Sequence, residues 1–179
     1  MFKAVGLLSV AGLSAGLISG CSSMPAPVGA ARTPAVVSSD HYTGTWLEIG
    51  RRPMAITNGC VAGFTTYAPG RTAGEVSVVD GCHQGTPNGK LKTIAAKGEL
   101  LDVGTTHAKL RVHYPFFITF DYWVLYEAPD HSWFISADPA MRNLWIYARQ
   151  KPTDDLKTVM VTKASALGYD TTQLEFPAQ

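Results

Sequence analysis

Between Thr43 and Gln150 the chain divides into eight short runs rich in Val, Ile, Thr, Tyr, Phe and Trp, with turn residues after each. They fall at Thr43–Arg52, Cys60–Tyr67, Glu75–Cys82, Leu91–Leu101, His107–Tyr114, Ile118–Glu127, Ser132–Ala137 and Asn143–Gln150. Pro53, Pro69-Gly70, Gly85-Thr86-Pro87-Asn88-Gly89, Pro115, Ala128-Pro129-Asp130 and Asp138-Pro139 punctuate them. Eight strands in series with mostly short links predict one antiparallel up-and-down sheet. Such a sheet removes its two unpaired edges best by closing on itself. The expected fold is therefore all-β, an eight-stranded antiparallel up-and-down β-barrel.

One helix follows. Thr153 can cap it, and Asp154-Asp155 suit the positive end of its dipole. Leu156, Val159, Met160, Ala164 and Leu167 repeat every 3.6 residues, and Gly168 ends the pattern. A single apolar stripe needs one apolar surface to cover, and the outside of the barrel is the simplest. Leu174 and Phe176 are candidates for a last short strand.

The first twenty residues read as an address. A short basic start, Met1-Phe2-Lys3, precedes an apolar or small stretch, Ala4–Ile18. That stretch is short for a membrane-spanning helix and has no basic stop after it, so it reads as a secretory signal. Leu17-Ile18-Ser19-Gly20-Cys21 resembles a bacterial lipobox, which implies cleavage before Cys21 and acylation of that residue. Ser22 in place of Asp implies the outer membrane by the same resemblance. Residues 22–39 are mostly Ala, Pro and Ser without hydrophobic period and read as a flexible tether, able to reach about 60 Å when extended. The division expected is a signal at 1–20, a lipidated Cys with its tether at 21–39, and the barrel with its helix at 40–179.

Fifteen Lys+Arg against fourteen Asp+Glu leave a net charge of +1, which provides no electrostatic footprint for nucleic acid. With Cys21 assigned to the anchor, Cys60 and Cys82 remain. Each lies beside a strand end, and an oxidising compartment favours a disulfide over half of a metal site, for which no second pair of ligands is spaced suitably. No metal or cofactor is expected.

Tyr42-Thr43-Gly44-Thr45-Trp46-Leu47-Glu48-Ile49-Gly50-Arg51 resembles the Gly-x-Trp signature on the first strand of lipocalins, in the form found in bacterial lipocalins and apolipoprotein D. Leu144-Trp145-Ile146-Tyr147-Ala148-Arg149 is similar to the motif on that family's last strand. Gly59-Cys60, Val79-Asp80-Gly81-Cys82 and Tyr122-Trp123-Val124-Leu125 stand where bacterial members carry similar residues, although Asp80 replaces a more usual Asn. The resemblance covers residues 40 to 176 and implies a barrel that binds a small amphiphile.

Topology supports the pairing of these motifs. In an up-and-down barrel of eight strands, the first begins at the end where the eighth finishes. Trp46 and Arg149 should therefore meet there, with the guanidinium on the indole, and close that end. The links Pro53–Gly59, His83–Lys90, Pro115–Phe117 and Asp138–Arg142 should then form the mouth.

Strand alternation that turns Trp46 inward also turns Gly44, Glu48 and Gly50 inward. Glu48 then needs a donor or a proton. The expected lining is Trp46, Glu48, Phe64, Tyr122, Val124, Trp145 and Tyr147. It would hold an apolar body, such as the chain of a fatty acid or lysophospholipid, with the polar head near the mouth. No nucleophile elbow or phosphate loop is present, so no catalysis is expected. An enzyme on the same scaffold would need a polar cluster around Glu48. A purely structural lipoprotein would show a filled barrel and an exposed apolar patch near Phe116-Phe117. The expected partners are a lipid or other hydrophobic small molecule and, through the anchor, the membrane.

Overall fold

The computed structural model describes residues 33–38 and 40–179. The expected signal at 1–20, the lipidation site Cys21 and most of the tether lie outside the described residues.

Eight strands form a closed barrel: β1 (Gly44–Arg51), β2 (Cys60–Pro69), β3 (Glu75–Gln84), β4 (Leu91–Leu100), β5 (Lys109–His113), β6 (Thr119–Glu127), β7 (Trp133–Ala137) and β8 (Leu144–Ala148). Every neighbouring pair is antiparallel, and β1 pairs with both β2 and β8, so no edge is left open. Cys60 and Cys82 are joined as a disulfide that ties the start of β2 to β3.

Helix α1 (Asp154–Ala166) packs outside the barrel, with its N-terminus capped where expected: the Thr153 hydroxyl accepts from the Leu156 amide at 3.3 Å. Both faces of β7 and β8 are buried. Phe134, Trp145 and Tyr147 face the barrel interior, whereas Ile135, Leu144 and Ile146 face Met160 and Ala164 of α1. Each such apolar side chain contributes roughly 1.5–3 kcal/mol through burial, which explains why one helical stripe suffices to dock α1. In place of a last strand, Glu175 makes a single bridge to Arg51.

Two register shifts redirect side chains that alternation alone would misplace. Between Glu48 and Gly50 on β1 an extra residue enters the ladder with β8. Ile49 packs in the outer cluster, and a Cβ on Gly50 would strike the Phe176 ring on that same side. Gly50 therefore faces outward, contrary to the alternation expected from Trp46, and Arg51 turns inward instead. A shift between Val124 and Tyr126 does the same on β6, placing Leu125 and Tyr126 outside and bringing Glu127 against His41.

The expected tether ends sooner than its composition implied. The Ala35 amide donates to the Val124 carbonyl at 2.9 Å, and that of Val37 to Thr106 at 3.1 Å. Val37 is buried in the inner core, and the Ser38 amide donates to Glu127. A short apolar segment close to unpaired backbone groups gains more by docking than a solvated tether would.

Candidate functional site

The end of the barrel where β1 starts and β8 finishes is sealed. The Arg149 guanidinium lies 3.5 Å from the centre of the Trp46 ring. It also donates to the carbonyls of Thr43, Thr45 and Asp40 at 2.7, 3.2 and 3.4 Å. The Trp46 indole N–H donates to the His41 carbonyl at 2.9 Å. Above them His41, completely buried, donates from Nδ1 to Glu127 Oε1 at 2.8 Å. Its Nε2 is buried without a hydrogen-bond partner, so a second proton there would have nothing to bind. Burial accordingly holds the His41 pKa below its ordinary 6.5 even though Glu127 pulls the other way.

The opposite end is open. A cavity of about 280 Å³ opens there; of the four links expected to surround the mouth, those after β1 (Met54, Ile56, Thr57) and β5 (Tyr114, Ile118) border it, and those after β3 and β7 do not. Met54, Ile56, Ile94, Ile118, Phe120 and Trp145 supply apolar wall. Lys92 shares the inward face of its register partner Cys82 and stands exposed at the lip. Short 3-10 turns, Ala55–Thr57 and Pro115–Phe117, shape two of the mouth links.

Halfway down, the wall becomes polar. Glu48 is buried and forms an ion pair with Arg51, which the β1 shift has turned to face it. Arg51 also donates to Glu175 Oε1 at 2.7 Å and to the Cys60 carbonyl at 2.8 Å. Burial raises the Glu48 pKa, and Arg51 moderates the rise. Deeper still, Asp80 accepts from Thr65 at 2.6 Å and from the Tyr114 hydroxyl at 2.5 Å. Tyr122 lies 3.0 Å from Tyr114, oxygen to oxygen, and Tyr147 lies 3.4 Å from Thr65. Burial raises the Asp80 pKa as well, against the two hydroxyl donors that lower it. Thr65, Asp80, Tyr114, Tyr122 and Tyr147 also border a chamber of about 20 Å³ beneath, large enough for about one water. These five residues are the floor of the cavity.

The expected lining residues separate accordingly. Glu48, Tyr122, Trp145 and Tyr147 line the cavity. Val124 lines only the lower chamber, and Trp46 lies lower still, in the plug, bordering neither space. Phe64 borders the cavity, but its ladder partners Leu47 and Gly81 share its face. Leu47 packs outside, and the Phe64 ring lies where a Gly81 side chain would be, so the ring is on the outer surface. Sequence reasoning did not select Arg51, Asp80, Thr65 and Tyr114. The departure at Asp80 from the usual Asn was the one available signal.

A family model for a lipocalin-like domain matches residues 37–179. Temperature-induced lipocalin-1 of Arabidopsis thaliana is 30% identical over 145 residues, covering 75% of each chain. Among solved structures, insecticyanin from the tobacco hornworm Manduca sexta superposes with a TM-score of 0.63 at 16% identity, covering 87% of this chain and 88% of that one. Lobster apocrustacyanin A1 superposes with a TM-score of 0.60 at 13% identity, covering 79% of each. At those identities the two structures bear on the fold alone.

Proposed function

The chain belongs to the lipocalin family, and on that footing we propose that its cavity binds a small single-chain amphiphile of the fatty-acid or lysophospholipid kind. The observation that carries this reading is the open cavity of about 280 Å³ with apolar upper walls. It falls just below the range for ligand pockets, roughly 300–1,000 Å³, which suits one acyl chain better than two. Burying the chain supplies the driving force, about 0.8 kcal/mol per methylene. Lys92 at the lip suits an anionic head left at the mouth.

Binding rather than catalysis is the reading these residues support. Glu48 is committed to Arg51, and among the described residues no histidine lines the cavity to act as its acid–base partner. The open cavity argues equally against a purely structural role.

The cellular setting rests on the sequence: an acylated Cys21 would hold the protein on the outer membrane of a bacterial envelope, for lipid transport, storage or envelope maintenance. Among the described residues no helix is long and apolar enough to cross a membrane. Displacement of an environment-sensitive dye by decanoate and by a lysophospholipid tests the ligand class. Saturable displacement with quenched tryptophan fluorescence is expected, and its absence with both probes would remove the carrier reading. Release of a Cys21→Ser variant from the membrane fraction tests the anchor.

A further inference from the structure

The floor of the cavity is organised around one carboxylate, that of Asp80. Each hydroxyl carries a single hydrogen. Thr65 and Tyr114 spend theirs on Asp80. The Tyr122 hydroxyl, 3.0 Å from Tyr114, can then only donate to that oxygen. On the other side the Thr65 hydroxyl, which donates to Asp80, also lies 3.4 Å from the Tyr147 oxygen as a donor to it. The order on the first side is Tyr122 to Tyr114 to Asp80. The protons of Thr65, Tyr114 and Tyr122 are thus turned toward one carboxylate. A carboxylate offers about four lone-pair directions, and protein donors occupy two of those of Asp80. Among the described residues no Lys, Arg or His forms an ion pair with Asp80; Arg51, the buried cation of the cavity wall, is held between Glu48 and Glu175. What faces an entering molecule is therefore chiefly acceptors, the open lone pairs of Asp80 foremost, in a place where leaving them unpaired costs free energy.

Accordingly, we propose that the floor is a subsite for a hydrogen-bond donor, a hydroxyl or an ammonium carried at the inner end of the amphiphile, and that it turns away a carboxylate or a bare methyl end. This rests on the reading of the cavity as an amphiphile site and adds the chemistry of the buried end. The ligand class that fits both ends is a chain with an anionic group at the mouth, beside Lys92, and an O–H or N–H group at the floor, on Asp80 and the lone pairs of Tyr122. A site built to pair such a group discriminates strongly against the analogue that lacks it, because the floor acceptors then go unmet.

Four probes of one chain length isolate the inner end: decanoate, ω-hydroxydecanoate, ω-aminodecanoate and decanedioate, each titrated by dye displacement against the purified protein. Both donor-bearing probes are expected to bind about tenfold more tightly than decanoate, the worth of one hydrogen bond to a charged acceptor, with decanedioate weakest. The hydroxy and amino arms tell a neutral donor from a cationic one; a preference for either over decanoate supports the inference. Equal binding of decanoate and both donor probes, or decanedioate matching them, overturns it while leaving the carrier reading standing. Failure of all four to displace the dye removes both. The ranking needs no variant. Asp80→Asn, which puts an amide N–H at the floor, should narrow the preference to below threefold and supplies a second readout where that chain folds; an undiminished preference there would overturn the role given to Asp80.

Discussion

The guanidinium of Arg149 covers the face of Trp46 at 3.5 Å and ties together three backbone carbonyls, those of Thr43, Thr45 and Asp40. One side chain thus joins the end of β8 to the chain entering β1. Arg149→Ala loses a cation–π contact of about 0.5–2 kcal/mol and leaves those carbonyls to find other donors. Urea unfolding should show a loss of about 2–3 kcal/mol. Arg149→Lys should recover only part of it, because a single ammonium cannot reproduce the fork. A loss below about 0.5 kcal/mol in the alanine variant would mean that the base closes without this pair.

The ion pair of Glu48 with Arg51 is buried, and breaking it from one side should be worse than removing it whole. Arg51→Met leaves Glu48 without its counter-charge and should cost about 3–5 kcal/mol. The double variant Glu48→Gln with Arg51→Met should regain much of that loss. Additive losses across the cycle would show that the two side chains do not depend on each other.

His41 should make stability fall on mild acidification. Its folded pKa lies below the ordinary 6.5, so below that value the unfolded chain takes a proton that the folded chain refuses. Stability from this residue is therefore complete above about 6.5 and is lost as the pH drops through it. The raised pKa values of Asp80 and Glu48 act in the opposite sense, costing stability as the pH climbs. Comparison with His41→Asn isolates the histidine. Between about pH 7.5 and about pH 5.5 the urea midpoint of the parent should drop further than that of the variant. Parallel curves would return His41 to an ordinary titration.

Reduction of Cys60–Cys82 should lower the melting temperature. The cysteines are 22 residues apart, and closing a loop of that size is worth about 3 kcal/mol in the chain-entropy account. The hairpin of β2 and β3 remains paired without it, so the reduced protein should still fold. Calorimetry with and without reductant checks both statements.

What could be read in advance was whatever depends on periodicity and punctuation. The strand runs and the helix signal correspond closely to β1–β8 and α1, because turn residues and alternating burial are local properties. The pairing of Trp46 with Arg149 followed from topology alone. Gly50, Tyr126 and Phe64 were another matter. The faces of the first two depend on the register shifts of β1 and β6, and a bulge leaves no mark in an alternating pattern. That of Phe64 depends on the register with β1, which sets Thr65 rather than Phe64 opposite Trp46. The floor was hidden for a related reason. Thr65, Asp80, Tyr114, Tyr122 and Tyr147 come from five strands or their flanks and meet only when the barrel has closed. The docking of Ala35–Ser38 was missed because its partners, Thr106, Val124 and Glu127, are distant in the chain.

Residues 33–38 run beneath the sealed base before β1 begins, held by Thr106, Val124 and Glu127. Any pull arriving from upstream is therefore delivered to the foot of the vessel, and the lip at the far end stays free to face whatever lies opposite.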